Sequence, residues 1–87
     1  MPRYFFTMID GGLDSDLEGT ELPDLQRAKC EAIVYVGQAI RDRPNLVAES
    51  GECRVEVTGD DGALVLAVVV QAIEAPVLET MVRKLGR

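Results

Sequence analysis

Two neighbouring hydrophobic segments differ in the spacing of their apolar residues, and this difference most limits what the chain can fold into. Residues 54–58, Arg-Val-Glu-Val-Thr, alternate between polar and apolar, which is typical of a strand with one face on a core and the other in water. Residues 64–70, Leu-Val-Leu-Ala-Val-Val-Val, are apolar on both faces. The sequence Gly-Asp-Asp-Gly at 59–62 predicts a hairpin turn between them, and the second strand then requires cover on both faces.

Chain length and composition predict one small domain. The 87 residues are expected to form a single domain over residues 1–87, and no uncharged apolar run is long enough to span a membrane. The N-terminal residues include no apolar stretch of signal-peptide length, so we expect a cytoplasmic protein. Cys30 and Cys53 fit no metal-ligand spacing; we expect two reduced, partly buried thiols, with a disulfide as the alternative.

The charge and the missing histidine exclude several classes of function. The net charge is −6, which repels nucleic-acid backbones, so no direct nucleic-acid binding is expected. The chain contains no histidine, the commonest general base and transition-metal ligand. No cysteine or serine lies in a nucleophile motif, and no lysine follows Gly11-Gly12 as in a phosphate-binding loop. We therefore predict neither catalytic residues nor a cofactor.

The N-terminal third predicts a strand and a return. Residues 3–9 are rich in aromatic and β-branched residues and predict a strand that ends at the turn signal of residues 10–12. Tyr4, Phe6 and Met8 share one face of this strand. Residues 18–22 predict a short return strand that pairs with the first.

The middle of the chain predicts a long helix from Pro23-Asp24 to about Asp42, opened by a residue pair typical of a first helical turn. Its main apolar stripe is Leu25, Ala28, Ala32, Val36, Ala39 and Ile40. Cys30, Val34 and Gly37 lie away from this stripe and indicate a second contact. Pro44-Asn45 is expected to end the helix, with residues 43–51 as a loop.

The C-terminal segment predicts a second helix. Ala75-Pro76 breaks the preceding strand, and residues 77–85 follow a helical pattern with Leu78, Met81, Val82 and Leu85 on one stripe. This helix and a second copy of the chain are the two candidates for covering the second face of the strand at 64–70.

These elements predict an α+β fold, a small antiparallel sheet of three or four strands with the long helix on one face and the short C-terminal helix. A helical crossover from the strand at 3–9 would leave the strand at 53–58 parallel to it. The strand at 63–72 would then pair between the two, in the middle of the sheet, in agreement with its two apolar faces.

An acidic segment at residues 10–24 contains one partial metal motif. Residues 14–19, Asp-Ser-Asp-Leu-Glu-Gly, match the opening of a calcium-binding loop. The twelfth position is Leu25, where such loops require a bidentate glutamate, so we predict no metal site. Asp60-Asp61-Gly62 is likewise expected to be a hairpin turn rather than a catalytic carboxylate pair.

The sequence resembles a family of short, functionally uncharacterised bacterial proteins classed as a domain of unknown function. The resemblance rests on Pro-Arg-Tyr-Phe-Phe at 2–6, Asp10-Gly11, Glu-Gly-Thr-Glu-Leu-Pro-Asp at 18–24, Val-Glu-Val at 55–57 and Asp61-Gly62. Members of that family often have a histidine after the Tyr-Phe-Phe run, where this chain has Thr7. The resemblance implies a bacterial source and a small α+β domain, and it implies no activity.

Unshared apolar surface leads to the main functional hypothesis, a non-catalytic protein-interaction domain that self-associates as a two-fold dimer. The residues predicted for the association surface are Cys30, Val34, Val65, Val69, Ile73 and Met81. The alternative is an antitoxin-like or regulatory partner whose acidic surface docks on a basic protein. The order of strand, acidic turn, short strand and helix is similar to that of some antitoxins.

Overall fold

The computed structural model describes residues 1–9, 18–77 and 80, together with the backbone of residues 13–15. Its architecture is α+β, as predicted, with an antiparallel sheet and a long helix packed on one face. The elements are the strands β1 (Arg3–Ile9), β2 (Leu13–Ser15), β3 (Thr20–Glu21), β4 (Glu52–Thr58) and β5 (Leu64–Gln71), and the helices α1 (Leu25–Asp42) and α2 (Asn45–Ser50).

The sheet follows the order β2-β1-β4-β5, with β3 also paired to β1. Every pairing is antiparallel, which confirms both the return strand near residues 18–22 and the hairpin of β4 and β5. The strand β2 was not expected. It pairs with the second half of β1, while β3 pairs with the first half.

The predicted place of β5 in the middle of the sheet is wrong, as is the prediction that β1 and β4 run parallel with β5 between them. The central strand is β4, which pairs with β1 on one side and with β5 on the other. The reason is that β3 brings the chain back to the start of β1 before α1 begins, and the amide of Leu22 donates a hydrogen bond to the carbonyl of Pro2. The helix therefore starts at the Arg3 end of β1, and β4 returns from the Ile9 end.

The core lies between α1 and one face of the sheet. Alternate residues of β1 and β4 are buried, as the two-residue period predicts: Tyr4, Phe6 and Met8, then Cys53, Val55 and Val57. The helix contributes Ala28, Ala32 and Val36, whose small side chains let it lie close to the sheet. Ala39 and Ile40 pack partly against this core, whereas Leu25, at the first position of α1, is 45% exposed and was wrongly expected in it.

The start of α1 is capped as the sequence predicts. Asp24 precedes the helix with extended backbone, and its carboxylate accepts a hydrogen bond from the amide of Arg27 at 2.9 Å. This bond satisfies one of the backbone donors that a helix leaves unpaired in its first turn. The helix ends at Asp42, where the expectation placed its end.

The loop expected over residues 43–51 is wrong, because residues 45–50 form the short helix α2. Pro44 ends α1 but also suits the start of another helix, where its missing N–H costs nothing. Gly51 follows α2 with a φ of 82° and donates a backbone hydrogen bond to Val47 at 2.7 Å. This left-handed position is a helix stop that favours glycine, and the buried Val47 packs α2 against the core.

The C-terminal helix begins two residues earlier than expected. Residues 75–77 and residue 80 are helical, with Pro76 in the first turn and Val77 58% exposed. The predicted stripe residues Leu78, Met81, Val82 and Leu85 lie outside the described residues.

Candidate protein-interaction surface

The two edges of the sheet differ in how they are protected. The edge beside β1 is covered by β2 and β3, which are three and two residues long. At the opposite edge, β5 runs for eight residues without a charged residue or a proline. Within the part of the chain that the structure describes, β5 pairs with β4 alone. Natural proteins usually guard a long apolar edge with charges, prolines or short strands, and β5 has none of these.

The hydrogen-bonding pattern shows which backbone groups of β5 point away from β4. The amide of Ala72 donates to the carbonyl of Gly51 at 3.1 Å, and the register pairs Cys53 with Val70 and Val55 with Val68. Residues alternate between bonded and non-bonded pairs along antiparallel strands. Val68 and Val70 therefore bond to β4, and the backbone groups directed outward belong to Ala67, Val69 and Gln71.

The side chains of β5 also alternate. Leu66, Val68 and Val70 face α1 and are partly buried against the core. Val69 is 49% exposed on the opposite face, and Ala67 beside it is exposed as well. The strand thus presents apolar side chains on both faces of an edge whose outward backbone groups have no strand partner among the described residues, so it combines the features by which one strand adds to another.

A polar row on β4 bounds this apolar strip on the outer face of the sheet. The guanidinium of Arg54 lies between two carboxylates of the same strand, Glu52 at 2.9 Å and Glu56 at 3.0 Å. These hydrogen bonds, that to Glu52 first, raise the pKa of Arg54 above its usual value. Gln71 adds a hydrogen bond to Glu52 at 3.2 Å. The charged side chains of this row are partly exposed and form ion pairs with one another, so the outer face of β4 is a polar, solvated surface. The apolar part of the outer face is therefore confined to β5.

One flank of α1 adds apolar surface near the β5 edge. Tyr35 lies on the side of α1 nearest β1, with its ring centroid 6.5 Å from that of Phe6. Ile33 precedes it by two residues, about 200° around the helix, and is 51% exposed. Since α1 packs mainly over β4 and β5, Ile33 lies on the flank of the helix directed toward β5. The apolar surface here consists of this flank and the β5 edge.

The residues predicted for the association surface do not form one patch. Cys30 and Val34 are exposed, but each lies two residues from a buried alanine of α1, so both point away from the sheet. Val65 and Val69 are exposed on the far side of the sheet, on β5. Ile73 is partly buried just beyond the end of β5, and the sixth residue, Met81, lies outside the described residues. The predicted surface is therefore split between the two layers of the fold.

One contributor to the exposed surface, Ile33, was missed from the sequence. Ile33 belongs to neither helical stripe, and only the contact of Tyr35 with β1 shows which flank it occupies.

The described residues offer little that could perform chemistry. Neither cysteine forms a disulfide; Cys30 is exposed, contrary to the partly buried position expected, and Cys53 is buried with its sulfur 3.4 Å from that of Met8. Within residues 1–9 and 18–77, no three histidine, cysteine or acidic side chains are grouped as metal ligands. Asp61 accepts a hydrogen bond from the amide of Ala63 at 3.0 Å, which confirms the predicted hairpin turn. The opening of the calcium-type motif lies mostly outside the described residues.

Comparison with known proteins gives a family whose function is not defined. A family model described as a domain of unknown function, DUF6894, matches residues 3–71. These bounds coincide with the first residue of β1 and the last residue of β5, so the whole sheet lies within the matched region and residues 72–87 lie beyond it. No curated protein and no solved structure matches the chain. None of the helices among the described residues has the length and apolar character needed to cross a membrane.

Proposed function

The chain belongs to the DUF6894 family, and we propose that it is a non-catalytic protein-interaction domain that self-associates as a two-fold dimer through the edge of β5. In this dimer, β5 of one copy pairs with β5 of the other and the two sheets become one. The bacterial source and the cytoplasmic location remain predictions from the sequence.

The observation that carries the proposal is the uncharged edge of β5, eight residues long. The other edge is formed by β2 and β3, strands too short to accept a long partner strand. An exposed, long and hydrophobic edge strand pairs readily with another chain. We therefore expect this edge to be covered by a specific partner, which would prevent its non-specific pairing with other strands.

A second copy of the chain fits this edge on grounds of charge and symmetry. A two-fold axis perpendicular to the sheet makes the two β5 strands antiparallel, and an antiparallel pairing is the more stable kind. Because β5 has no charged residue, the pairing places no like charges directly opposite each other. The apolar inner residues Leu66, Val68 and Val70, only partly buried by α1, would gain further cover.

The absence of histidine from the sequence supports a non-catalytic role. The cysteine nearest to solvent, Cys30, lies on the outer side of α1 and has no histidine to activate it. We therefore assign the exposed surface to binding.

The second candidate function, a partner for a basic protein, is favoured by the net charge of −6. A basic partner would dock on the acidic surface with fast, salt-sensitive association. The two functions predict different stoichiometry, since only self-association gives a dimer in the pure protein.

Sedimentation equilibrium of the purified chain at micromolar concentrations tests the proposal, with Val69→Pro as the decisive variant. Proline removes an N–H that points away from β4 and places its ring in the path of a partner strand, while edge strands tolerate it. We expect the wild type to be dimeric and Val69→Pro to be a folded monomer by circular dichroism. Val69→Thr, which keeps the N–H and the branched side chain, is the matched control and is expected to remain dimeric.

Val68→Pro tests the direction of the backbone groups. The N–H of Val68 bonds to β4, so proline at this position removes a hydrogen bond of the ladder and leaves its acceptor unpaired, which is expected to cost about 1–3 kcal/mol of folding free energy and to lower the unfolding midpoint far more than Val69→Pro. A wild type that stays monomeric over the whole concentration range would overturn self-association. A dimer that survives in Val69→Pro would place the contact elsewhere.

A further inference from the structure

The alternation of β5 restricts the registers in which the strand can pair with its own copy, and from this we infer that the two-fold axis passes beside Val68. The inference rests on the self-association proposed above. In a symmetric antiparallel pair, a residue with outward backbone groups must bond to another of the same kind. The residues with outward backbone groups are Ala67, Val69 and Gln71, every second residue of β5. An axis that passes beside a residue pairs these residues with one another. An axis between two residues would pair each of them with a residue whose side chain lies on the opposite face of the sheet, so it is excluded.

Three positions of the axis keep the centres of both strands overlapped, beside Ala67, beside Val68 or beside Val69. The register shift between Val57 and Thr58 of β4 places an irregularity at residues 64–65 of β5. An axis beside Ala67 brings this irregularity into the middle of the pairing, because regular pairing extends only from residue 66 to residue 68. Bulges interrupt the hydrogen-bonded ladder, so this register is disfavoured.

The inner side chains decide between the remaining two positions. With the axis beside Val68, Val68 meets the partner's Val68 and Leu66 meets the partner's Val70, so every inner apolar residue of the regular strand has an apolar neighbour across the interface. With the axis beside Val69, Leu66 would face the partner's Ala72, one residue beyond the end of β5. Cross-strand pairs of branched side chains stabilise a sheet, which favours the axis at Val68.

The flank of α1 agrees with this arrangement. Neighbouring strands lie about 4.8 Å apart, so the two-fold axis is about 2.4 Å outside β5. The helix α1 lies over the space between β4 and β5, about 2.4 Å on the other side of β5, so it is roughly 5 Å from the two-fold axis. The two helices are then roughly 10 Å apart, near the separation of packed helices. The exposed Ile33 lies on the flank directed toward β5 and would be covered by the partner.

Disulfide crosslinking on the outer face of β5 reads the register directly. With the axis at Val68, Ala67 lies opposite the partner's Val69 as a hydrogen-bonded pair, whose Cα atoms are about 5.5 Å apart. That separation is within the range for a disulfide. Two copies of residue 67, or two of residue 69, are then diagonal neighbours about 7–8 Å apart, beyond it.

The experiment uses two variants in a Cys30→Ser background, Ala67→Cys and Val69→Cys. Cys53 can remain, since it is buried under the opposite face of the sheet. We expect mild oxidation to give a covalent dimer in an equilibrated mixture of the two variants, with at least a tenfold lower yield in either variant alone. Addition of a reductant before electrophoresis should abolish the product.

Each other outcome overturns a distinct statement. Efficient crosslinking of Ala67→Cys alone places the axis at Ala67, and that of Val69→Cys alone places it at Val69; either result contradicts the register. A dimer by sedimentation that crosslinks in none of the samples would overturn pairing through β5 while self-association stands. A monomeric protein at all concentrations overturns the proposed function itself.

Discussion

The amide of Leu22 donates a hydrogen bond of 3.0 Å to the carbonyl oxygen of Pro2, which fastens the end of β3 to the start of β1. The same corner is held by Arg3, whose guanidinium reaches the carbonyl of Glu18 at 2.9 Å and the carboxylate of Glu21 at 3.1 Å. This corner decides from which end of β1 the helix α1 departs. It therefore determines the order of the strands and leaves β5 at the edge.

Gly19 is the position in this corner that we expect to tolerate substitution least. Its φ is +75°, and a Cβ atom there would lie 2.8 Å from the ring of Phe5 and 2.9 Å from Cγ of Arg3. Gly19→Ala therefore combines backbone strain with a steric clash, and we expect a loss of about 1–3 kcal/mol in the free energy of unfolding. Urea denaturation followed by circular dichroism measures it.

Gly37→Ala is the matched control. Gly37 is exposed within α1, and apart from its chain neighbours and the adjacent helix backbone no heavy atom of the described residues lies within 4 Å of the Cβ position. Alanine is a better helix former than glycine by about 1 kcal/mol, so this variant should be at least as stable as the wild type. Equal losses in the two variants would show that the corner places no special demand on Gly19.

The elements that were predicted from the sequence are those specified by local pattern. The alternation of β1, the capped start of α1 and the glycine-containing turn before β5 each depend on residues near one another in the chain. The position of β5 was predicted wrongly because apolar content on both faces was taken as a sign of a central strand. The position instead depends on a contact between Pro2 and Leu22, which are distant in sequence.

The candidate surface shows the same division. The two-faced pattern of residues 64–70 predicted a strand covered on both faces, whereas Val65 and Val69 are exposed in the structure. Helical spacing correctly placed Cys30 and Val34 away from the core. Spacing alone could not show that they lie on the outer side of α1, on the opposite side of the fold from Val65 and Val69. That relation requires knowledge of the face on which α1 packs.

Val55 is the position where a buried charge should unfold the protein, since β4 rather than β5 is the central strand. Its side chain has no exposed surface, and an unpaired carboxylate there costs several kcal/mol, a large part of the stability of a small domain. We expect Val55→Asp to lack a cooperative unfolding transition. Val65→Asp, at a position 41% exposed on β5, is the matched substitution and should fold while associating more weakly. An unfolded Val65→Asp would contradict the assigned exposure.

Amide hydrogen exchange should alternate along β5. The amides of Val68 and Val70 bond to β4, so we expect slow exchange at both, independent of protein concentration. The amides of Ala67 and Val69 point outward and bond only to a partner strand, so their protection should rise with concentration as the dimer forms. Uniformly fast exchange at both pairs of amides would contradict the ladder of β4 and β5. Exchange measured by nuclear magnetic resonance on dilute and concentrated samples resolves these amides individually.

Ionic strength should separate the two candidate functions, because added salt is expected to strengthen self-association and to weaken binding to a basic protein. Each copy carries a net charge of −6, and an antiparallel β5 pair brings the turn residues Asp60 and Asp61 toward the partner's Glu74. Salt screens this repulsion, with a Debye length of about 10 Å at 0.1 M falling to about 3 Å at 1 M. The dimer dissociation constant should therefore fall several-fold as sodium chloride rises from about 0.05 M to about 0.5 M, whereas a complex with a basic protein would weaken.

The double variant Asp60→Asn, Asp61→Asn keeps the side-chain acceptor for the amide of Ala63 and should show a smaller salt dependence. A dimer that dissociates as salt is added would show that charge attraction holds it together, which an uncharged β5 edge cannot provide.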